Sequence, residues 1–259
     1  MTTASCEPIK LGPHGEFSLG GASFVIDISE GRHRRPSDSE AFTIVKNEPY
    51  IQIYQSLAAE FSPRSILELG IFQGGSYVLL DKLFGPRRMS GVELSPQPVA
   101  PLMRYIDATQ NRFVHFSTSQ SDREVLERIV RDELANELDL VVDDASHSYE
   151  QTKASFEILF PSLRPNGIYL IEDWSWAHDP GYQSPDGPRG NRTALSNLLF
   201  EHIMLMGSTS LIAEIRVWKP LYLIRKGAAH ERPIEAIVNE ASTSIFDQIL
   251  SRGKKWEWI

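Results

Sequence analysis

The stretch DLVVDDASHSYEQ, residues 139–151, ends an apolar run in two adjacent carboxylates, Asp143 and Asp144, and sets His147 three positions after the second. A second apolar run, NGIYLIED, closes on Glu172 and Asp173. Carboxylates gathered at one point hold a hard divalent cation, and an imidazole beside them accepts a proton. Four such acids cannot all stay ionised together unless a metal or a bound ammonium compensates them, because like charges push pKa values up. Oxygen ligands alone favour magnesium, calcium or manganese over zinc. A hydroxyl coordinated to such an ion gives up its proton far more readily than a free one. His147 starts the helix expected over 147–163, where the helix N-terminus and the neighbouring dication both oppose the imidazolium and keep it a neutral base. Taken singly, Asp144 or Ser146 would serve as helix caps. The pairing of D-D-x-S-H with I-E-D at two strand ends is what points to a site.

For those two acidic tips to meet, their strands must be neighbours. From residue 65 the pattern alternates: SILELG, RMSGVEL, RFVHF, LDLVVDD and NGIYLIED read as strands, with helices over 75–84, 98–107, 122–135 and 147–163 between them. Such alternation predicts an α/β fold, a doubly wound and mostly parallel sheet covered by helices on both faces. A right-handed crossover then places the fourth and fifth strands side by side, about 4.8 Å apart, with their C-terminal ends on one ligand-binding edge. LIAEIRVW and LYLIRKG, broken by Pro220, add two strands at a sheet edge, giving seven. Before residue 65, an arm over 1–36 carries a hairpin at EFSLGGASFVIDI, followed by helices over 37–46 and 49–61. Residues 174–192 form a long loop, a helix spans 193–206, and a last helix spans 232–250. The organisation expected is an N-terminal arm, 1–47, that lids a domain over 48–259.

SILELGIFQGGS puts Gly70, Gly74 and Gly75 at a strand-to-helix turn, where backbone N–H groups can approach a ligand. Glu93 ends the next strand, 93 − 74 = 19 positions after Gly74, where a nucleotide-binding fold keeps an acid for ribose hydroxyls. Phe72 stands where the dinucleotide fingerprint has its second glycine, which disfavours a pyrophosphate and favours an adenosine ligand without one.

ELGIFQGGS resembles the first motif of class I S-adenosylmethionine-dependent methyltransferases, and GVEL resembles their second. The resemblance implies a Rossmann-like seven-stranded fold. It also implies a cofactor site in which Glu68, Gly70, Gly74 and Ser76 cup the methionine end and Glu93 holds the ribose. Ser119 and Gln120, in STSQSD, would meet the adenine. VVDDASHSYEQTKASFEILFPSLRPNGIYLIEDW is similar to the magnesium-dependent sugar O-methyltransferases of the macrolide and rhamnose type, and to the cephalosporin hydroxylase-like group. That similarity, over residues 48–226, implies magnesium on Asp144, Glu172 and Asp173, with His147 as general base. Asp143 would lie near the methionine part of the cofactor. A catechol-type methyltransferase is the first alternative, and Glu-Asp rather than Asp-Asn at 172–173 favours the sugar branch. An iron oxygenase is the second, and one histidine with two carboxylates is not its usual triad. A cofactor-binding protein without activity is the third.

Other residues invite weaker readings. Trp174 and Trp176 suit the apolar face of a sugar ring or pack the loop, His178 is a second candidate base, and Tyr50 and Tyr54 pack a helix or cover the cofactor. The terminal KKWEWI is a partner surface or folds back on the core. The 259 residues are 41% hydrophobic and carry a net charge of −8, which argues against a nucleic-acid binder. The basic runs at 32–35 and 252–255 are short. No apolar run reaches membrane-spanning length, the first ten residues lack a signal-peptide core, and one cysteine, Cys6, forms no internal disulfide. A cytoplasmic homodimer acting on a sugar or glycoside, with no membrane or nucleic-acid partner, is the expectation.

Overall fold

The computed structural model describes residues 9–29, 33–182 and 192–228. Cys6, the expected helix over 232–250, the basic run at 252–255 and KKWEWI lie outside them.

Strands β1 (Glu16–Leu19) and β2 (Ala22–Ile26) form the expected antiparallel hairpin across Gly20 and Gly21. Residues 37–46 are not helical. Asp38 accepts the backbone N–H groups of Glu40 and Ala41, and a strand β3 (Phe42–Ile44) follows, parallel to β2. The local aspartate turn and the β-favouring Phe-Thr-Ile-Val run outweigh the short helical periodicity read there. The expected helix over 49–61 is α1 (Glu48–Glu60).

The main sheet contains β4 (Ser65–Leu69), β5 (Arg88–Val92), β6 (Arg112–His115), β7 (Leu138–Asp143), β8 (Leu163–Glu172), β9 (Ile212–Val217) and β10 (Leu221–Lys226). Their order is β6-β5-β4-β7-β8-β10-β9, with β4 to β8 parallel and β10 antiparallel to both its neighbours. This is the mostly parallel, doubly wound α/β architecture anticipated. The helices are α2 (Gly75–Phe84), α3 (Ala100–Asp107), α4 (Arg123–Arg128), α5 (Tyr149–Leu159) and α6 (Ser196–Ser208). The helix expected over 122–135 is α4 continued by a π-turn at Ile129–Glu133.

Two hydrophobic cores lie on opposite faces of the sheet. Leu140, Val142 and Leu170 pack with α1, α2 and the small sheet, whereas Val141, Tyr169 and Ile171 pack with α4, α5 and α6. Alternate residues of β7 and β8 therefore serve different cores, which is why both strands read as unbroken apolar runs. The order reverses at β4, between β5 and β7, and a crevice opens beyond the strand ends there.

Candidate active site

The crevice begins at the turn after β4. Gly70 has φ 83°, and a Cβ on it would run into the backbone carbonyl of Asp144, so the tips of β4 and β7 can close only on a glycine. Gly74, in a left-handed conformation, caps α2, whose next residue, Gly75, abuts the Thr43 carbonyl of β3. Phe72 has a left-handed backbone, at φ 45°, and is 50% exposed beside Arg34. Its N–H donates to Glu93 Oε2 at 2.8 Å, and Ser95 N–H donates to Oε1 at 2.9 Å.

A cleft of about 270 Å³ opens here, with Gly70, Phe72, Glu93, Ser119, Gln120 and Asp144 in its wall. Ser76 borders an adjoining recess, together with Lys46. Glu68 is fully buried, and burial pushes its carboxyl up to about 8, a rise eased by the Ser76 hydroxyl and the Lys46 charge. Neither of its oxygens completes a hydrogen bond with a described residue.

Asp143 and Asp144 turn to opposite faces. Asp143 is buried on the α5 side, accepting from Gln120 Nε2 at 3.0 Å, Ser155 Oγ at 2.6 Å and Tyr169 OH at 3.0 Å. Burial raises its carboxyl to about 6, with Ser155 and Tyr169 pulling it back. Gln120 also accepts the Ser146 N–H at 2.9 Å, so it ties the turn after β6 to the segment after β7.

On the other face the predicted acids do meet. Lys46 Nζ sits 2.5 Å from Asp144 Oδ2 and 2.5 Å from Glu172 Oε2. Burial opposes the ammonium, but the two facing carboxylates outweigh it and hold its pKa above the ordinary value. Burial and the charge of Asp144 push Glu172 above the carboxylate range. From α1, Tyr54 donates to Glu172 and Tyr50 to Asp173. His147 and Asp173 both adopt left-handed backbones, at φ 52° and 51°. These turn the His147 ring to the acids, Nε2 lying 3.7 Å from Asp144 Oδ1 and 3.7 Å from Asp173 Oδ2. His147 precedes the cap of α5, Ser148, rather than opening the helix, because Ser146 Oγ accepts the Ser148 N–H in a tight turn.

Among the described residues, Asp144, His147 and Asp173 offer ligand atoms that all lie within 4.8 Å of one another. That spacing and donor set fit a divalent ion. The cleft, the Gly70 cradle and the unfilled Glu68 oxygens fit an adenosine cofactor with a cationic tail. Of the residues read from sequence, Gly70, Glu93, Ser119, Gln120 and Asp144 border the cleft and Ser76 its recess. Asp143 is buried in a network of its own, and Glu172 is buried behind Asp144 on the shared Lys46. Sequence reasoning missed Lys46, although the need for a compensating cation was its signal. Tyr50 and Tyr54 pack α1 onto the sheet, one of the two readings above, and also donate to acids. Trp176 Nε1 donates to the His147 carbonyl at 2.7 Å, Trp174 Nε1 to the Trp218 carbonyl at 2.8 Å, and His178 pairs with Ser196 at 2.9 Å.

Residues 67–174 match the family described as "Methyltransferase domain". Mycinamicin VI 2''-O-methyltransferase of Micromonospora griseorubida is 30% identical over 131 residues, 48% of this chain and 30% of that protein. A Streptomyces olivaceus enzyme, 8-demethyl-8-(2-methoxy-alpha-L-rhamnosyl)-tetracenomycin-C 3'-O-methyltransferase, is 32% identical over 127 residues, 46% of this chain and 30% of its own. The aligned part of the chain thus spans about a third of the length of these relatives. The solved structure of MycE methyltransferase with Mg, SAH and mycinamycin VI superposes at TM-score 0.50 and 25% identity, covering 70% of this chain and 49% of MycE. A Staphylococcus aureus protein titled a putative caffeoyl-CoA O-methyltransferase shares the fold at TM-score 0.52 and 16% identity, over 71% of this chain and 85% of its own. The doubly wound sheet is therefore the class I methyltransferase fold.

Proposed function

We propose that this chain is an S-adenosylmethionine- and magnesium-dependent O-methyltransferase acting on a hydroxyl of a sugar or glycosylated compound. The observation that carries the reading is that Asp144, Asp173 and His147 gather on the edge where the Gly70–Glu93 cleft opens. Support for a sugar acceptor comes from the Streptomyces olivaceus relative, whose name gives O-methylation of a rhamnosyl-bearing tetracenomycin.

Glu93 would hold the ribose, Gly70 and Gly74 would admit the cofactor to the backbone, and Glu68 with Ser76 would face its methionine end. Ser119 and Gln120 would border the adenine. Asp144 and Asp173 would hold magnesium, with Glu172 behind them on Lys46. A divalent ion held there would lower the pKa of an acceptor hydroxyl. His147, placed between the two acids by its left-handed backbone and by Trp176, would accept that hydroxyl's proton at Nε2. Trp174 and Trp176 are anchored through their indole N–H groups, with Trp174 packed on the α5-side core and Trp176 edge-on to Tyr182.

No helix among the described residues is long and apolar enough to cross a membrane. A cytoplasmic homodimer remains part of the proposal, and sedimentation would check the stoichiometry. The test of function is transfer of labelled methyl from the cofactor to a panel of glycosides and free sugars. Incorporation that stops in chelator and returns with magnesium is expected; full incorporation in chelator would remove the metal from the reading. Succinate formation from oxoglutarate with iron would instead support the oxygenase alternative.

A further inference from the structure

We propose that Lys46 is a tethered cation within the acid cluster, one that competes with the divalent ion and sets how tightly that ion is held. This rests on the reading above that Asp144 and Asp173 take a metal.

The two cation positions share one carboxylate. Asp144 gives Oδ2 to the Lys46 ammonium at 2.5 Å, while its Oδ1 faces His147 Nε2 and the open side of the cluster. Glu172 gives Oε2 to the same ammonium, again at 2.5 Å, and its other oxygen accepts from Tyr54. Each oxygen of Glu172 thus already has a partner, so Glu172 would meet a metal in competition with the ammonium and the phenol. A cation at Asp144 Oδ1 would also be repelled by the ammonium across a single carboxylate, in a setting where water screens little. The lysine side chain is 4% exposed, so its charge is directed at these acids.

The backbone that delivers Lys46 is fixed. It follows β3 directly, and β3 is paired to β2 and pressed by the Thr43 carbonyl onto Gly75 of α2. Two residues later α1 begins, bringing Tyr50 and Tyr54 to Asp173 and Glu172. One segment of the arm therefore supplies the ammonium and two phenols to three of the four tip acids. Without a divalent ion, Lys46 balances Asp144 and Glu172 and lets the strand tips stay together. With one, it weakens the hold.

The test is titration calorimetry of the full chain with magnesium and with manganese, comparing wild type with Lys46→Met. The expected result is roughly tenfold or greater tightening in the variant, since one buried like charge is removed. Its melting temperature should fall in chelator and be raised by the metal more than in wild type. Because the single variant leaves two buried acids unbalanced, Glu172→Gln is also compared with Lys46→Met/Glu172→Gln, and the double variant should bind the ion more tightly than Glu172→Gln alone. Equal or weaker binding after loss of Lys46, in either pair, overturns the proposal. Wild type that binds while the variants gain nothing defeats the lysine's role alone; no binding by any of the four proteins defeats the metal reading with it.

Discussion

β7 ends in Asp143 and Asp144 follows it directly, and the two carboxylates face opposite ways into different settings. On the α5 face, Asp143 is buried among neutral donors, Gln120, Ser155 and Tyr169. Beyond them the same core holds His202, against the Tyr222 hydroxyl at 3.2 Å and the Phe156 ring. On the α1 face, Asp144 meets an ammonium, a second carboxylate and an imidazole, and part of it reaches the cleft. Neutral donors saturate a buried acid and leave nothing for a ligand. Charged partners leave a lone pair open and a charge unbalanced, which is what a cation site requires.

Asp144→Asn should give the largest effect, cutting methyl transfer and manganese affinity by roughly a hundredfold or more, since it removes a ligand shared by the whole cluster. Turnover and calorimetry would show it. Replacing His147 by Ala comes next: kcat should fall by about 10²- to 10³-fold, as for loss of a general base, while cofactor affinity holds within roughly threefold. An unchanged kcat would remove it as base.

On the buried face the effects should fall on stability. Asp143→Asn sets an amide donor among three donors and should cost about 1–3 kcal/mol, seen as a drop of several degrees in melting temperature, with metal affinity preserved. Loss of cofactor affinity instead would return Asp143 to the methionine end of the site. Burial, then Lys153, pushes His202 down to about 3, so it stays neutral in the folded chain while the unfolded chain takes up a proton below about pH 6.5. Stability from this group is therefore complete above that pH and declines as pH falls toward 3, by about 1.4 kcal/mol per unit. His202→Leu should flatten that slope in acid unfolding curves; an identical slope would contradict it. Tyr50→Phe should be the mildest change, deleting one donor to Asp173 and shifting manganese affinity by roughly threefold.

The sheet was legible because alternating apolar runs and amphipathic helices carry their own periods, and D-D-x-S-H with I-E-D showed which strand ends hold acids. Which face each acid takes was not legible at that resolution. Asp143 and Asp144 are adjacent, yet the first meets Ser155 and Tyr169 and the second meets Lys46, partners far along the chain. Lys46 was hidden for a different reason: it is 98 residues from Asp144 and 126 from Glu172, a separation no local pattern spans. Phe72, His147 and Asp173 were legible as types, but their left-handed backbones were not, since only glycine announces that conformation. All three lie at the site, as strained residues often do.

An anomalous-scattering map from crystals saturated with manganese should show a peak on the cleft side touching Asp144 and Asp173, with none at Asp143. A map without density between those two acids, or with manganese bound only elsewhere, would remove the metal site.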